Sequence, residues 1–234
     1  MSRSKAKQLG RRAILVLESP WELDSHDANR SSVLPFIEGI AKLAENTDVF
    51  HANFYDLKSF KQALECLLKI EFCNAIVYVA AHGYGRKIGG VDIINALVQI
   101  GDNSKDKGVS GVLLGSCFVG GKTSAMEVCL EGTQLRWAAG YSSTTWWLDG
   151  TMIDCSILSN MLKLDNNDFL EKDTMVQAFA DAISPFSGHH IIGEDDKDEP
   201  VELKNSLQFV IQPKGQGKRA KLANEEVFTK LSWE

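Results

Sequence analysis

The chain has 234 residues, 44% of them hydrophobic and 24% charged, with a formal net charge of −6. This balance excludes a disordered polymer, and the absence of a strongly basic footprint argues against nucleic acid as a partner. The length suits one well-filled core.

The five cysteines (66, 73, 117, 129 and 155) form no CxxC pair, so neither a disulfide framework nor a paired-ligand zinc site is expected. No apolar stretch follows the basic start Met1–Arg12, and no run approaches the roughly 18 residues of a membrane span. The expectation is a cytoplasmic chain with reduced cysteines and no membrane contact.

Ala13–Leu17 is a continuous apolar run rich in β-formers and reads as a buried strand, ended by Glu18-Ser19-Pro20. An acidic loop runs from Trp21 to Arg30. Ser31 or Ser32 caps a helix predicted over about Val33–Glu45. Asp48–Tyr55 has the length of a strand. Asp56 opens a second helix with Phe60, Ala63, Leu64, Leu67 and Leu68 on one face.

Ala75–Ala81 is the strongest predicted strand and ends in His82-Gly83. A short helix near Val91–Ile100 and a polar loop, Gly101–Gly108, lead to the strand Gly111–Gly115, which ends in Ser116-Cys117. Further elements are a helix over Thr123–Leu130, a strand over Arg136–Tyr141, and helices over Asp149–Leu164 and Asp173–Ile183. Glu194–Glu199 reads as an acidic surface loop, Leu207–Ile211 as an edge strand and Lys214–Lys221 as a solvated basic segment.

Strand and helix alternate five times with short connections. The order predicts an α/β fold, a three-layer α-β-α sandwich with a mainly parallel central sheet. Residues 1–11 form an N-terminal extension, 12–212 the domain and 213–234 a C-terminal tail.

Functional groups gather beyond the carboxyl ends of such strands. His82 and Cys117 both sit there, and Cys117 lies 35 residues after His82, about one strand–helix–strand unit. If the two strands are neighbours about 4.8 Å apart, both side chains open into one crevice. A thiolate is a nucleophile, and a nearby imidazole exchanges protons close to neutral pH. Glycine tolerates close backbone approach, so the amides of Gly83 and Cys117 are candidates for holding an oxyanion.

The stretch Ile76-Val77-Tyr78-Val79-Ala80-Ala81-His82-Gly83, with Val112-Leu113-Leu114-Gly115-Ser116-Cys117-Phe118-Val119-Gly120-Gly121 after it, resembles the caspase-like peptidases of clan CD. It reads most like the bacterial CHAT branch, over Arg12 to about Leu164. The resemblance implies peptide-bond cleavage through a Cys117 acyl-enzyme, with His82 as general acid/base and no metal or organic cofactor. It implies a protein or peptide substrate and a regulatory partner protein. Bacterial members of the group work in stress or antiviral responses.

In that fold the strand after the nucleophile's helix leads into a segment lining the substrate groove. Here this would be the stretch holding Tyr141, Ser142, Ser143, Trp146 and Trp147. Caspases recognise Asp through an arginine in this region, and no Arg lies between Trp137 and Leu164. Acidic residues stand nearby instead: Asp149 and Asp154, and Glu18, Glu22, Asp24 and Asp27 after the first strand. An acidic pocket favours Lys or Arg before the scissile bond, which makes Asp149 and Asp24 candidate substrate-binding residues.

Two rival readings stand beside this one. Ser116–Thr123 nearly matches a phosphate-binding loop, with Gly120-Gly121-Lys122-Thr123 in the right places but Ser116 where the motif starts with Gly. A catalytically inactive caspase-like interaction module would also retain these residues. A Gly-x-Ser-x-Gly elbow does not occur around Ser116.

Overall fold

The computed structural model describes residues 10–21, 32–44, 46–215 and 217–231. Seven strands form the central sheet. In chain order they are β1 (Arg12–Glu18), β2 (Thr47–Asn53), β3 (Asn74–Ala80), β7 (Val109–Gly115), β8 (Trp137–Tyr141), β11 (Leu207–Ile211) and β12 (Lys221–Leu222). They lie side by side as β12-β11-β8-β7-β3-β1-β2. The run β2-β1-β3-β7-β8 is parallel throughout, and β11 and β12 join antiparallel. All seven residues of β3 and of β7 are buried, because helices cover both faces of the sheet and alternation brings no benefit.

One face carries α1 (Leu34–Leu43), α5 (Trp147–Met161), α6 (Lys172–Ile183) and α8 (Asn224–Thr229). Ile14, Val16, Ile76, Tyr78, Leu113, Trp137 and Tyr141 point into this layer, against Ile37, Ile153, Ile157, Leu158, Val176 and Phe179. The other face carries α2 (Leu57–Leu67), α3 (Ile93–Asn103) and α4 (Thr123–Glu131). Here Leu15, Leu17, Val77, Val79, Val112 and Leu114 meet Phe60, Leu64, Leu97, Ile100, Met126 and Leu130. The architecture is the predicted three-layer sandwich with a mainly parallel sheet.

Local sequence explains several boundaries. The Asp56 carboxylate accepts the Ser59 N–H at 2.7 Å, and the Ser59 hydroxyl accepts the Asp56 N–H at 3.0 Å, a capping box that starts α2. Ser32 accepts the Leu34 N–H at 3.2 Å ahead of α1. Asp92 caps α3 by accepting the Ile94 N–H at 3.0 Å.

The sequence reading differs from the structure in three places. His82-Gly83 does not lead directly toward a helix. It enters a small antiparallel sheet of β4 (Gly83–Tyr84), β5 (Lys87–Ile88) and β6 (Val91–Asp92), whose last turn uses Gly89 and Gly90 at positive φ. Leu207–Ile211 is not an edge strand, because β12 pairs with it on the outside. The acidic stretch 194–199, read as a surface loop, is mostly exposed as expected and holds the turn of a hairpin between β9 (Ile191–Glu194) and β10 (Pro200–Glu202), with α7 (Leu203–Ser206) next. Beyond residue 212, Ala223 and Val227 are almost fully buried against the sheet, so this stretch contributes to the core. No helix among the described residues is long and apolar enough to cross a membrane.

Candidate active site

β3 and β7 are parallel neighbours, with Ala80 opposite Gly115. The two chains therefore leave the sheet together, and two residues later each presents a reactive side chain: His82 from one and Cys117 from the other. The Ser116 hydroxyl donates to the Ala81 carbonyl at 2.6 Å, tying the residue before Cys117 to the residue before His82. Gly83 completes the join. A Cβ placed on it would lie 1.9 Å from the Cys117 carbonyl oxygen, so only glycine lets the two backbones pass this closely.

The loop after Cys117 is held from the other side. Phe118 adopts the left-handed conformation at φ 64°, and its N–H donates to the Ser143 carbonyl at 3.0 Å. The Ser143 hydroxyl is 2.6 Å from that of Ser206, and the Ser142 N–H donates to the Ser206 carbonyl at 2.8 Å. Ser142 and Ser143, candidates for substrate contact, act in the structure as braces between the Cys117 loop and the segment before β11.

His82 and Cys117 line one cavity of about 160 Å³, together with Trp21, Tyr78, Tyr141, Thr145, Trp146, Trp147 and Asp154. His82 is exposed and Cys117 half-buried. Burial pushes the Cys117 thiol up from its ordinary pKa, against the pull of the Thr145 backbone amide and its own amide, both of which favour thiolate. At neutral pH Cys117 thus rests as a thiol, which would have to give up its proton before it could act as a nucleophile.

The indole of Trp21 meets the His82 ring edge-on, with centroids 5.1 Å apart and planes at 78°. Behind it lies Glu18, which accepts from the Trp21 indole N–H at 3.2 Å, the Val33 N–H at 2.9 Å and the Ser32 hydroxyl at 2.9 Å, and pairs with His51 at 3.0 Å. Burial alone would raise the Glu18 pKa, but the bonds from His51, Val33, Ser32 and Trp21 together hold it below the usual carboxylate value. A group with a depressed folded pKa adds stability above its unfolded pKa and loses it as pH falls through the folded one. Glu18→Gln is therefore expected to lower stability by about 2 kcal/mol at pH 7, with the gap to the native chain narrowing in acid. Paired urea melts at pH 7 and at about pH 3.5 check this.

The cavity floor is Asp154, only 2% exposed. Its two oxygens accept one hydroxyl each, from Tyr78 and Tyr141, both at 2.8 Å. Burial, only partly offset by these two bonds, raises its pKa to about 7. Gly115 makes room for the arrangement, since a Cβ there would lie 2.6 Å from Asp154 Oδ2.

The other acidic candidates are placed elsewhere. Asp149 does not line the cavity and lies 3.7 Å from His190. Glu22, Asp24 and Asp27 fall outside the described residues. Trp146 and Trp147, from the predicted loop, do line the cavity, and Trp147 already begins α5. Their backbone course is set by β9, which accepts the Trp146 N–H at Ile192 and the Thr144 N–H at Glu194.

The phosphate-loop reading meets a geometric obstacle. A phosphate cradle needs free amides pointing to a common centre. Here the amides of Phe118, Val119, Gly121 and Lys122 already donate to the carbonyls of Ser143, Cys117, Phe118 and Val119. Residues Val119–Gly121 form a tight 3₁₀ turn instead.

Sequence reasoning missed Trp21 as a cavity residue, held Thr145 only as part of the groove-lining stretch that ends at Trp147, and named Glu18 and Asp154 only among the acidic residues of a pocket favouring Lys or Arg. Trp21, three residues beyond the end of β1, was accessible through the same strand-end argument that found His82 and Cys117. Thr145 carried no signal of its own.

No family model matches the chain, and no curated protein matches it. Matching solved structures include that of a secreted C11 cysteine protease from Bacteroides thetaiotaomicron, "iotapain", with a TM-score of 0.52 at 9% sequence identity. The match covers 87% of this chain and 66% of that one, so the chain spans a little under two thirds of its length. At this identity the likeness shows the fold: a caspase-like α/β sandwich, with nothing that singles out the CHAT branch.

Proposed function

We propose that the chain is a caspase-like cysteine peptidase that cleaves a protein or peptide substrate at Cys117. The observation that carries this reading is the convergence of His82 and Cys117, from adjacent parallel strands, on one cavity. A structural cysteine would be expected in the core, as Cys129 and Cys155 are, with burial raising both thiols to about 12. Cys117 instead lies at the cavity wall beside an exposed imidazole.

The mechanism rests on these placements. As substrate enters, His82 takes the Cys117 proton, and the thiolate adds to the scissile carbonyl carbon. The developing oxyanion is stabilised by backbone amides at the Gly83–Cys117 contact. Collapse of the tetrahedral species breaks the C–N bond, His82 returns its proton to the leaving amine, and a thioester remains on Cys117. Water, deprotonated by His82, then releases the acid product and restores the thiol. Control by a partner protein belongs to the same proposal, by analogy with the fold alone.

The test is labelling with a panel of thiol-directed peptide ketones, read by mass spectrometry of the intact and digested protein. Adducts at Cys117 that are lost in Cys117→Ala and kept in Lys122→Ala are expected. Absence of labelling, with ATP or GTP binding that depends on Lys122, would overturn the reading in favour of a nucleotide-binding protein.

A further inference from the structure

Proton exchange at Cys117 needs an imidazole held in one orientation, and sites that pair a nucleophile with a base use a third group to hold it. The main chain of His82 is fixed, since its carbonyl accepts the Gly89 N–H at 2.9 Å. Its side chain is exposed, and among the described residues no hydrogen bond reaches either ring nitrogen. An unrestrained imidazole spreads over several staggered χ1 wells and a broad χ2 range, and only some of these turn the ring into the cavity. The ring contact that restrains it is the indole of Trp21, with centroids 5.1 Å apart and planes at 78°. Edge-on contacts of this kind are directional, so a fixed indole fixes the plane of the ring it meets.

The indole is fixed. β1 pairs with β3 so that Glu18 lies opposite Ala80, and Trp21 therefore leaves the sheet beside His82, as Cys117 does on the other side of β3. The Trp21 N–H donates to Glu18 Oε1 at 3.2 Å. Glu18, the last residue of β1 and almost fully buried, has little freedom to follow a moving indole. Its Oε1 also accepts the Val33 N–H at 2.9 Å, while Oε2 accepts the Ser32 hydroxyl at 2.9 Å and pairs with His51 at 3.0 Å. These bonds come from β2 and from the start of α1, so two further elements lock the carboxylate that locks the indole.

Resting on the peptidase reading, we propose that Trp21, anchored by Glu18, is the positioning residue for His82 and holds the imidazole at the cavity for proton exchange with Cys117. Three adjacent strands then deliver the three parts: β1 the positioning indole, β3 the base and β7 the nucleophile. Glu18 reaches the imidazole through the indole, a route that sets orientation without a hydrogen bond from carboxylate to base.

The test uses the full chain with Trp21→Ala and Trp21→Phe, each alone and in the His82→Ala background, and melting curves to confirm folding. The readouts are the rate of Cys117 labelling by a peptide ketone, and kcat and KM on a peptide that the native chain cleaves. Trp21→Ala is expected to lower the labelling rate and kcat about tenfold, part of the 10² to 10⁴ that a positioned base supplies. Trp21→Phe keeps a ring against His82 but loses the bond to Glu18, and should lower both about threefold. In the His82→Ala background the same substitutions should change the labelling rate less than about twofold, because nothing is left to position. Should Trp21→Ala melt early, Trp21→Phe carries the same comparison. Native rates in the Trp21 variants, a change confined to KM, or an equal loss with and without His82 overturns the inference and leaves the peptidase reading standing. A folded native chain whose Cys117 takes no peptide ketone defeats the two together.

Discussion

Cys117→Ala should abolish peptide cleavage, with a fall of more than about 10³-fold, while the thermal midpoint stays close to that of the native chain. The side chain lies half-exposed at the cavity wall, so its sulfur contributes little packing. His82→Ala should cost about 10² to 10⁴-fold, the range for removing a general acid/base. The exposed imidazole packs edge-on against Trp21 and is otherwise free of the core, so this variant should fold too. Because burial raises the Cys117 thiol above its ordinary pKa, alkylation of the free protein at this residue should climb with pH through and beyond the usual thiol range. A reagent carrying a peptide should escape this dependence at neutral pH, since His82 then accepts the proton. Kinetics of both variants, with melting curves as the control for folding, check the set.

Gly83→Ala should be the most damaging single-methyl change at the site. Its Cβ would stand 1.9 Å from the Cys117 carbonyl oxygen and 2.8 Å from the Cys117 nitrogen and carbonyl carbon. Backbone on both sides cannot turn away as a flexible side chain can, so the two strand ends must separate. Overpacking of this kind costs about 1–3 kcal/mol. A displacement near 1 Å between nucleophile and base lowers turnover by about 10²-fold. Gly121→Ala is the matched control, because its Cβ would lie an ordinary 3.4 Å from the Ser142 side chain. It should leave both stability and turnover nearly unchanged. Parallel measurement of kcat/KM and Tm for the two alanine variants separates a local effect at the strand ends from a general intolerance of methyl groups. The contrast also bears on the phosphate-loop reading, in which Gly121 and not Gly83 would be the sensitive glycine.

The architecture was legible because its strands are continuous apolar runs. Ala75–Ala81 and Gly111–Gly115 name themselves as buried parallel strands, and a two-sided helical cover is the physical way to bury them. The same runs point to His82 and Cys117, since residues just beyond the carboxyl end of a parallel strand lie at the functional rim. Sequence does not reveal which strands are neighbours, and the Ala80–Gly115 register supplies that. It was also silent on the brace of residues 143–147. That segment is held by β9 and by Ser206, 50 and 63 residues away, largely through backbone bonds that side-chain identity does not announce. Asp154 looked like surface charge because a carboxylate in a helix is usually solvated. Only the approach of Tyr78 and Tyr141, from two different strands, makes its burial possible. The small sheet after His82 escaped notice because each of its strands has two residues, too short for any periodicity to appear.

The most direct measurement is exposure of the purified full chain and its Cys117→Ala variant to a diverse peptide mixture, with new termini read by mass spectrometry. New termini from the native chain that are missing from the folded variant are the predicted result. The same termini from both proteins, or none from a native chain shown to be folded, would contradict the assignment of Cys117 and His82 as a peptidase site.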